Sequence, residues 1–161
     1  MSNNVPIPMT PEGKKKIEAE LGKLKSVDRP KVVQQLIDAR AHGDISENAE
    51  YEAAKDRQGW VEGRINELED KLARAVVIDP AMARTDLAVF GSRVTLEETS
   101  SKRVTRYLLV GPEESDVKEG KISIQSPLGK AMLGKKPGDL VELEAPAGFK
   151  EYKIVTIDAA D

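Results

Sequence analysis

Apolar residues recur along this 161-residue chain with two different periods, and the change comes near Asp79-Pro80. Before that point the spacing is helical. Ile17, Leu21 and Leu24 repeat at +4 and +3, and Val33, Leu36 and Ile37 carry an apolar stripe on to Arg40. Thr10-Pro11 predicts where the first helix starts, with a capping hydroxyl followed by a proline whose fixed φ suits the first helical position. Pro30 has no amide hydrogen and crowds the carbonyl four residues back, so it predicts a kink, or a break and restart near Asp28. A second helix carries a heptad seam of Val61, Ile65, Leu68, Leu72 and Ala75. Ala54 and Tyr51 extend it backwards through Gln58, and the positions between are largely charged.

Two helices, each apolar on one stripe and joined by a short connection, predict an antiparallel coiled-coil hairpin. An arm of roughly thirty residues is about 45 Å long at the α-helical rise. Such a rod is too thin to enclose a pocket.

After Pro80 the pattern becomes short and alternating. Residues 88–96, 103–110, 121–124, 140–143 and 151–157 predict strands from their β-branched content. Lys136-Pro137-Gly138-Asp139 is a turn with Pro and Gly where a type II turn wants them. Ser126-Pro127 predicts an N-cap and first turn for a short helix over 128–133, closed by Gly134. The fold class is therefore α+β: residues 1–79 form a hairpin with an acidic tip, and 80–161 a small globular domain.

Composition narrows the chemistry. There is no cysteine and a single histidine, His42, which removes disulfides, thiolate metal sites, cysteine nucleophiles and serine–histidine triads. Aromatic residues make up 4% of the chain, too few for aromatic-lined pockets or base-stacking platforms. A net charge of -3 excludes a protein held to nucleic acid by bulk electrostatics, so DNA binding is not expected. The start lacks a basic segment followed by an apolar run, and no stretch is long and apolar enough to span a bilayer, so no membrane association and a cytoplasmic location are expected.

The connection between the helices reads Arg40-Ala41-His42-Gly43-Asp44-Ile45-Ser46-Glu47-Asn48-Ala49-Glu50-Tyr51. Asp44, Glu47 and Glu50 are three apart and share one side of a helical turn. Two readings stand side by side. In one, Asp44 and Glu47 form a capping box, with acids favoured by the helix dipole. In the other, exposed carboxylates at the end of a rod supply half of a Mg²⁺ site, since hard oxygen ligands without imidazole or thiolate suit that ion. The rest of the coordination shell then has to come from another molecule.

That tip resembles the motif of bacterial Gre transcript-cleavage factors, and its continuation over residues 52–65 resembles the GreA branch of the family. A second block over residues 122–139, containing Ile122-Ser123-Ile124-Gln125-Ser126-Pro127-Leu128, resembles the family's C-terminal signature. With Ile7-Pro8-Met9-Thr10 the resemblance runs the length of the chain in order.

The resemblance implies a coiled-coil hairpin followed by an FKBP-like domain that docks on bacterial RNA polymerase at its secondary channel. It implies that Asp44 and Glu47 are the catalytic pair, helping to hold a Mg²⁺ shared with the polymerase and positioning a water. No cofactor is then bound tightly by the chain alone. The factor is not itself an enzyme. It stimulates the polymerase's intrinsic cleavage of backtracked RNA, with the nascent RNA 3′ end at the tip, and rescues arrested complexes.

Around the pair, Ser46, Asn48 and Glu50 are supporting tip residues, with turn and capping duties as the alternative for Ser46 and Asn48. Tyr51 is expected to pack at the base of the tip, with contact to RNA or a polymerase loop as the alternative, and His42 is expected to be a solvated side chain rather than an acid or base. Arg40, Lys55 and Arg57 are RNA-proximal cations, diluted by Glu52 and Asp56, or else ordinary solvated helix charge. Trp60 is expected to pack within the hairpin. Ser126, Pro127 and Leu128 offer a polymerase-docking edge, or only a helix start. Two competing functions remain. One is a channel regulator without cleavage activity, against which the intact acidic pair speaks. The other is a prolyl isomerase, for which Phe90, Tyr107, Phe149 and Tyr152 are sparse pocket material.

Overall fold

A computed structural model describes residues 5–41 and 49–160 of the chain. It divides into two compact units: Lys14–Ala75, and Val5–Gly13 together with the chain from Val76 onward. The expected boundary at residues 79 and 80 is thus met by one at Ala75 and Val76, and the segment before Lys14 clusters with the later part of the sequence. No helix among the described residues is long and apolar enough to cross a membrane.

The first unit is a helical hairpin. Helix α1 spans Pro11–Lys23, α2 spans Arg29–Arg40, and α3 spans Ala49–Arg74. Antiparallel order is written in the side-chain pairs. From Lys25–Glu69 through Arg29–Glu62 and Gln35–Arg57 to Arg40–Tyr51, numbers rise on one arm as they fall on the other. On α3 the expected seam is buried at Ala54, Val61, Ile65 and Leu68, with Leu72 half-buried, while the helix stops at Arg74 and Ala75 opens a strand.

On the other arm Pro30 neither breaks nor restarts the helix. Leu24–Asp28 widens to π-helical bonding, with the Arg29 N–H reaching the Leu24 carbonyl five residues back. The wider turn accommodates the missing donor and bulky ring of Pro30 without interrupting the helix. An extra residue in the turn also rotates everything after it by about 100°. The inward positions after the turn are therefore Val32 and Ala39, while Val33 and Ile37, expected inside, are 41% and 54% exposed. Trp60, also expected to pack within the hairpin, is 66% exposed on α3.

Charge pairs brace the arms. Arg29 Nε meets Glu62 at 2.7 Å, and Arg64 meets Glu20 at 2.8 Å. The Arg29 guanidinium holds the Glu62 carboxyl below the usual range, and Lys71, then Arg64, do the same for Glu67. Carboxylates depressed in the folded state contribute stability above the ordinary glutamate pKa of about 4.3, and that contribution is lost as pH falls through their folded values. Acidification below about pH 4 is therefore expected to weaken hairpin helicity modestly, as read by circular dichroism. Glu62→Gln should remove part of that acid response, and added salt should blunt it further because the pairs are exposed.

The second unit holds a five-stranded sheet in the order β5-β4-β3-β7-β6. Its strands are β3 (Ser92–Glu98), β4 (Val104–Val110), β5 (Lys121–Ser123), β6 (Leu140–Ala145) and β7 (Gly148–Ala159). All neighbours are antiparallel except β4 and β5. One face of the sheet and the short helix α4 (Pro127–Met132) enclose Val94, Leu96, Leu109, Ile122, Met132, Val141, Ile154 and Ile157. Against β7 the register slips between Thr95 and Leu96, leaving Val155 as the extra, 41% exposed residue.

Residues 88–91 were expected in β3 but form an irregular lead-in. Ala88 exchanges backbone hydrogen bonds with Gly134 and Lys135, and Gly91 turns the chain at a φ of 87°. The turn at residues 136–139 follows expectation, with Gly138 at a φ of 93° and the Asp139 N–H on the Lys136 carbonyl.

Two short strands, β1 (Ile7–Met9) and β2 (Ala75–Val77), pair with each other and were not anticipated. Just after β1, the buried Thr10 caps α1 as expected, its hydroxyl oxygen accepting from the Gly13 N–H at 3.0 Å. Glu114 completes this cap from a distant turn. Its carboxylate accepts from the Thr10 N–H at 3.0 Å and from the Thr10 hydroxyl.

Candidate functional site

The tip is framed by two helix ends. Helix α2 closes at Arg40, with the Ala41 N–H bonded to the Ile37 carbonyl at 3.1 Å. Helix α3 opens at Ala49 with Glu50 and Glu52 in its first turn, where acids complement the helix dipole. His42, Asp44, Ser46, Glu47 and Asn48 lie between these ends, outside the described residues. Among the described residues, no three His, Cys, Asp or Glu side chains come together as a metal cluster.

Arg40 and Tyr51 brace the base of the tip across the two helices. The guanidinium donates to the Tyr51 hydroxyl at 3.4 Å and lies 5.6 Å from the ring centroid. This hydrogen bond, with the nearby charges of Arg40 and Lys55, lowers the Tyr51 pKa from its ordinary value. Tyr51 is half-buried, in line with the packing expected of it.

The three cations grouped by sequence do not form one patch. Lys55 lies one helical turn beyond Tyr51 and acts on it electrostatically. Arg57, two residues further, points to the other edge of α3, because residues two apart on a helix are about 200° apart. There its Nε donates to Gln35 at 3.0 Å.

At the second candidate site, Ser126 caps α4. Its hydroxyl accepts from the Gly129 N–H at 3.1 Å and donates to the Ser123 carbonyl at 2.6 Å. Pro127 is exposed at the first helical position, whereas Leu128 is half-buried against the core. The exposed edge offered to a partner is therefore Pro127. The helix start and the exposed edge are two properties of the same residues.

Sequence reasoning missed Glu114 and the outward-facing Trp60. Nothing in Pro112-Glu113-Glu114 signals a partner more than a hundred residues earlier in the chain. For Trp60 a signal was present, since its position falls one residue before the seam residue Val61 and hence outside the apolar stripe.

Comparison with known proteins gives two family matches in tandem. The transcription elongation factor N-terminal family covers residues 7–77, and the GreA/GreB C-terminal family covers residues 83–159. Similar relatives include the transcription elongation factors GreA of Pelobacter propionicus and Trichlorobacter lovleyi. The first is 53% identical, over 94% of this chain and 96% of its own. The second is 52% identical, over 98% of each. The crystal structure of GreA factor homolog 1 (Gfh1) protein of Thermus thermophilus is 30% identical over 94% of this chain and 98% of that one, with a TM-score of 0.45. With both units matched in order, and relatives more than half identical along nearly their whole length, the chain belongs to the GreA/GreB family of transcription elongation factors.

Proposed function

We propose that this protein binds bacterial RNA polymerase at the secondary channel and stimulates the polymerase's own cleavage of backtracked RNA. It is an activator rather than an independent enzyme: a two-helix hairpin has no enclosed pocket, and the polymerase supplies one. The observation that carries this reading is the acidic pair. A member of this family keeps both Asp44 and Glu47 in the segment joining the two arms. In this proposal residues 1–79 are the inserting hairpin and 80–161 the polymerase-docking, FKBP-like domain. A mixed sheet with one short helix on its core face supports that comparison.

The donor set at the tip fits Mg²⁺, because Asp44 and Glu47 offer hard carboxylate oxygens and the segment carries no thiolate. These two residues would hold the ion together with the polymerase. A metal pair at a phosphodiester stabilises the attacking and leaving oxygens during hydrolysis. The chain's own contribution is to deliver carboxylates on a stiff support. Arg40 and Tyr51 fix the base of the connection, and Ser46, Asn48 and Glu50 orient ligands or waters around the pair.

A stalled, backtracked elongation complex with labelled RNA tests the reading directly. Added protein should shorten the transcript from its 3′ end and restore extension. A channel regulator without cleavage activity would bind the same complex and leave the RNA intact. The isomerase alternative has little support, since Tyr107 and Tyr152 pack against the core and Phe149 is 76% exposed.

Docking has its own test. Pro127→Glu should weaken polymerase binding in a competition assay while the thermal melt stays unchanged, because Pro127 is exposed. Unchanged affinity would move the interface elsewhere. Leu128 is unsuitable for this purpose, since a charge there would enter the core.

A further inference from the structure

Within the second unit, the face of the five-stranded sheet opposite the core carries a cationic cleft. Its origin is the strand register. Arg93 on β3 stands opposite Leu108 on β4, and Leu108 stands opposite Lys121 on β5. Residues paired in register share a face, and the next residue of each strand, Val94, Leu109 and Ile122, is in the core. Arg106, two residues before Leu108, is on the same face as Leu108. These side chains, with Glu119 and Gly120 of the turn before β5, line a cavity of about 200 Å³.

The charges in this cleft are out of balance. Two arginines and a lysine face one acid, Glu119, whose carboxylate lies 3.4 Å from Lys121 Nζ. Neither arginine is in an ion pair among the described residues. Asp158 is the register partner of Arg93 on β7, but its Oδ2 accepts from the Thr156 hydroxyl instead, at 3.3 Å. Arg93 is half-buried, so water screens its charge incompletely. Gathering like charges there without a counter-charge is unfavourable, and an anion in the cleft relieves it. The chain as a whole carries a net charge of -3, so this excess of cations is local.

We propose that this cleft binds a linear polyphosphate chain, free or carried by a nucleoside triphosphate. Arg93 and Lys121 flank Leu108 across two strand spacings, about 10 Å of backbone, so the cations form a row suited to an extended anion rather than a point ion. Planar guanidinium forks match phosphate oxygens in pairs. A second cavity, of about 320 Å³, shares Arg93, Leu108 and Lys121 and continues to Asp79, Ala81 and Val110. That volume is within the range of small-molecule sites. Its acids, Glu12, Asp79 and Glu114, repel phosphate, which keeps the chain at the cationic end. Glu114 is committed to Thr10, whereas Asp79, with one oxygen on the Ala81 N–H, has a second to accept from sugar hydroxyls. A nucleoside therefore has a place beside its own phosphates.

Isothermal titration calorimetry of the intact protein with tripolyphosphate, and separately with ATP, tests the assignment. Tripolyphosphate should bind, and inorganic phosphate should bind more weakly because it reaches fewer of the cations. Arg106→Gln should weaken tripolyphosphate binding roughly 10- to 100-fold, the worth of a charge-assisted hydrogen bond. Arg106 is exposed, so the thermal melt of that variant should not change. Arg93→Lys, which keeps the charge and loses the fork, should weaken binding by a smaller factor. Glu119→Gln should instead tighten it, because the substitution removes the one acid lining the cavity. Arg84→Gln removes an equal charge outside the cleft, from a pair with Asp86, and should leave the affinity unchanged.

Tighter binding of ATP than of tripolyphosphate supports the cleft with the nucleoside in the second cavity, and equal or weaker binding supports it with the free chain as ligand. No binding of either at millimolar concentration, or unaltered affinity in Arg106→Gln, would overturn the assignment. So would an equal loss in Arg84→Gln, which would mark an unspecific effect of charge. Weaker binding of Arg106→Gln to core polymerase, with no polyphosphate affinity in the wild type, would overturn it too and make the cleft a protein contact. None of these readouts involves transcript cleavage. A wild-type protein inactive in the cleavage assay would therefore refute the proposed function and leave the cleft to be decided by calorimetry.

Discussion

Asp44→Asn is expected to lower stimulated transcript cleavage by roughly 100-fold or more, at equal occupancy of the polymerase. Losing a residue that merely orients a metal ligand already costs about 10- to 100-fold in affinity or activity, and losing a ligand should exceed that. The substitution also separates the two readings of the tip. Asparagine caps a helix about as well as aspartate but offers a neutral oxygen, a poorer donor to Mg²⁺. If capping were its whole duty, the Asp44→Asn protein would cleave normally. Glu47→Gln is expected to match Asp44→Asn in size, because each removes one carboxylate from a shared ion. Polymerase affinity should stay near wild type in both, since the docking edge proposed above is at Pro127, in the other unit. Full activity in Asp44→Asn would leave the regulator reading in place of cleavage.

The largest effect on stability is expected at Gly129. A Cβ there would overlap the Ser123 carbonyl oxygen and stand 2.9 Å from its carbon, both of them backbone atoms. The first turn of α4 approaches the end of β5 this closely because the Ser126 hydroxyl ties the two together. Backbone cannot move aside as a flexible side chain can. Gly129→Ala is therefore expected to destabilise the protein by about 3 kcal/mol or more, beyond the usual range for a point substitution. Gly22→Ala, in an open helical position, should instead stabilise it by about 1 kcal/mol. Thermal or urea unfolding of the two variants gives opposite shifts if steric contact is the cause. A Gly129→Ala protein as stable as wild type would mean that the close approach is dispensable.

The two effects were unequally legible in the sequence. Spacing and residue chemistry made Asp44 and Glu47 candidates for capping or for metal holding, and resemblance to a family favours the second. The close backbone approach at Gly129 had no such trace. A glycine in the first turn of a short helix has many readings, and only the position of the Ser123 carbonyl excludes a side chain. Likewise Thr10 and Ser126 were readable as caps because a cap is local, joining residues within one turn. Glu114, which completes the Thr10 cap, is brought there by the sheet and by no local rule.

By itself the sequence determined the elements whose causes are local. The seam of Ala54, Val61, Ile65 and Leu68 made α3 one arm of a hairpin, and Ser126-Pro127 and Pro137-Gly138 placed a helix start and a turn. Tertiary structure decided the phase and partners of these elements. The π-helical turn before Pro30 added a residue, so Val32 and Ala39 face inward where Val33 and Ile37 were expected. Pairing joined Ile7–Met9 to Ala75–Val77, too short for either segment to register as a strand alone. The same seam that buries Val61 turns Trp60 outward, onto an edge whose cations come from both arms. Periodicity is a property of neighbours along the chain, so it survives in the sequence. Phase across an irregular turn and contact between distant segments depend on atoms that only folding brings together.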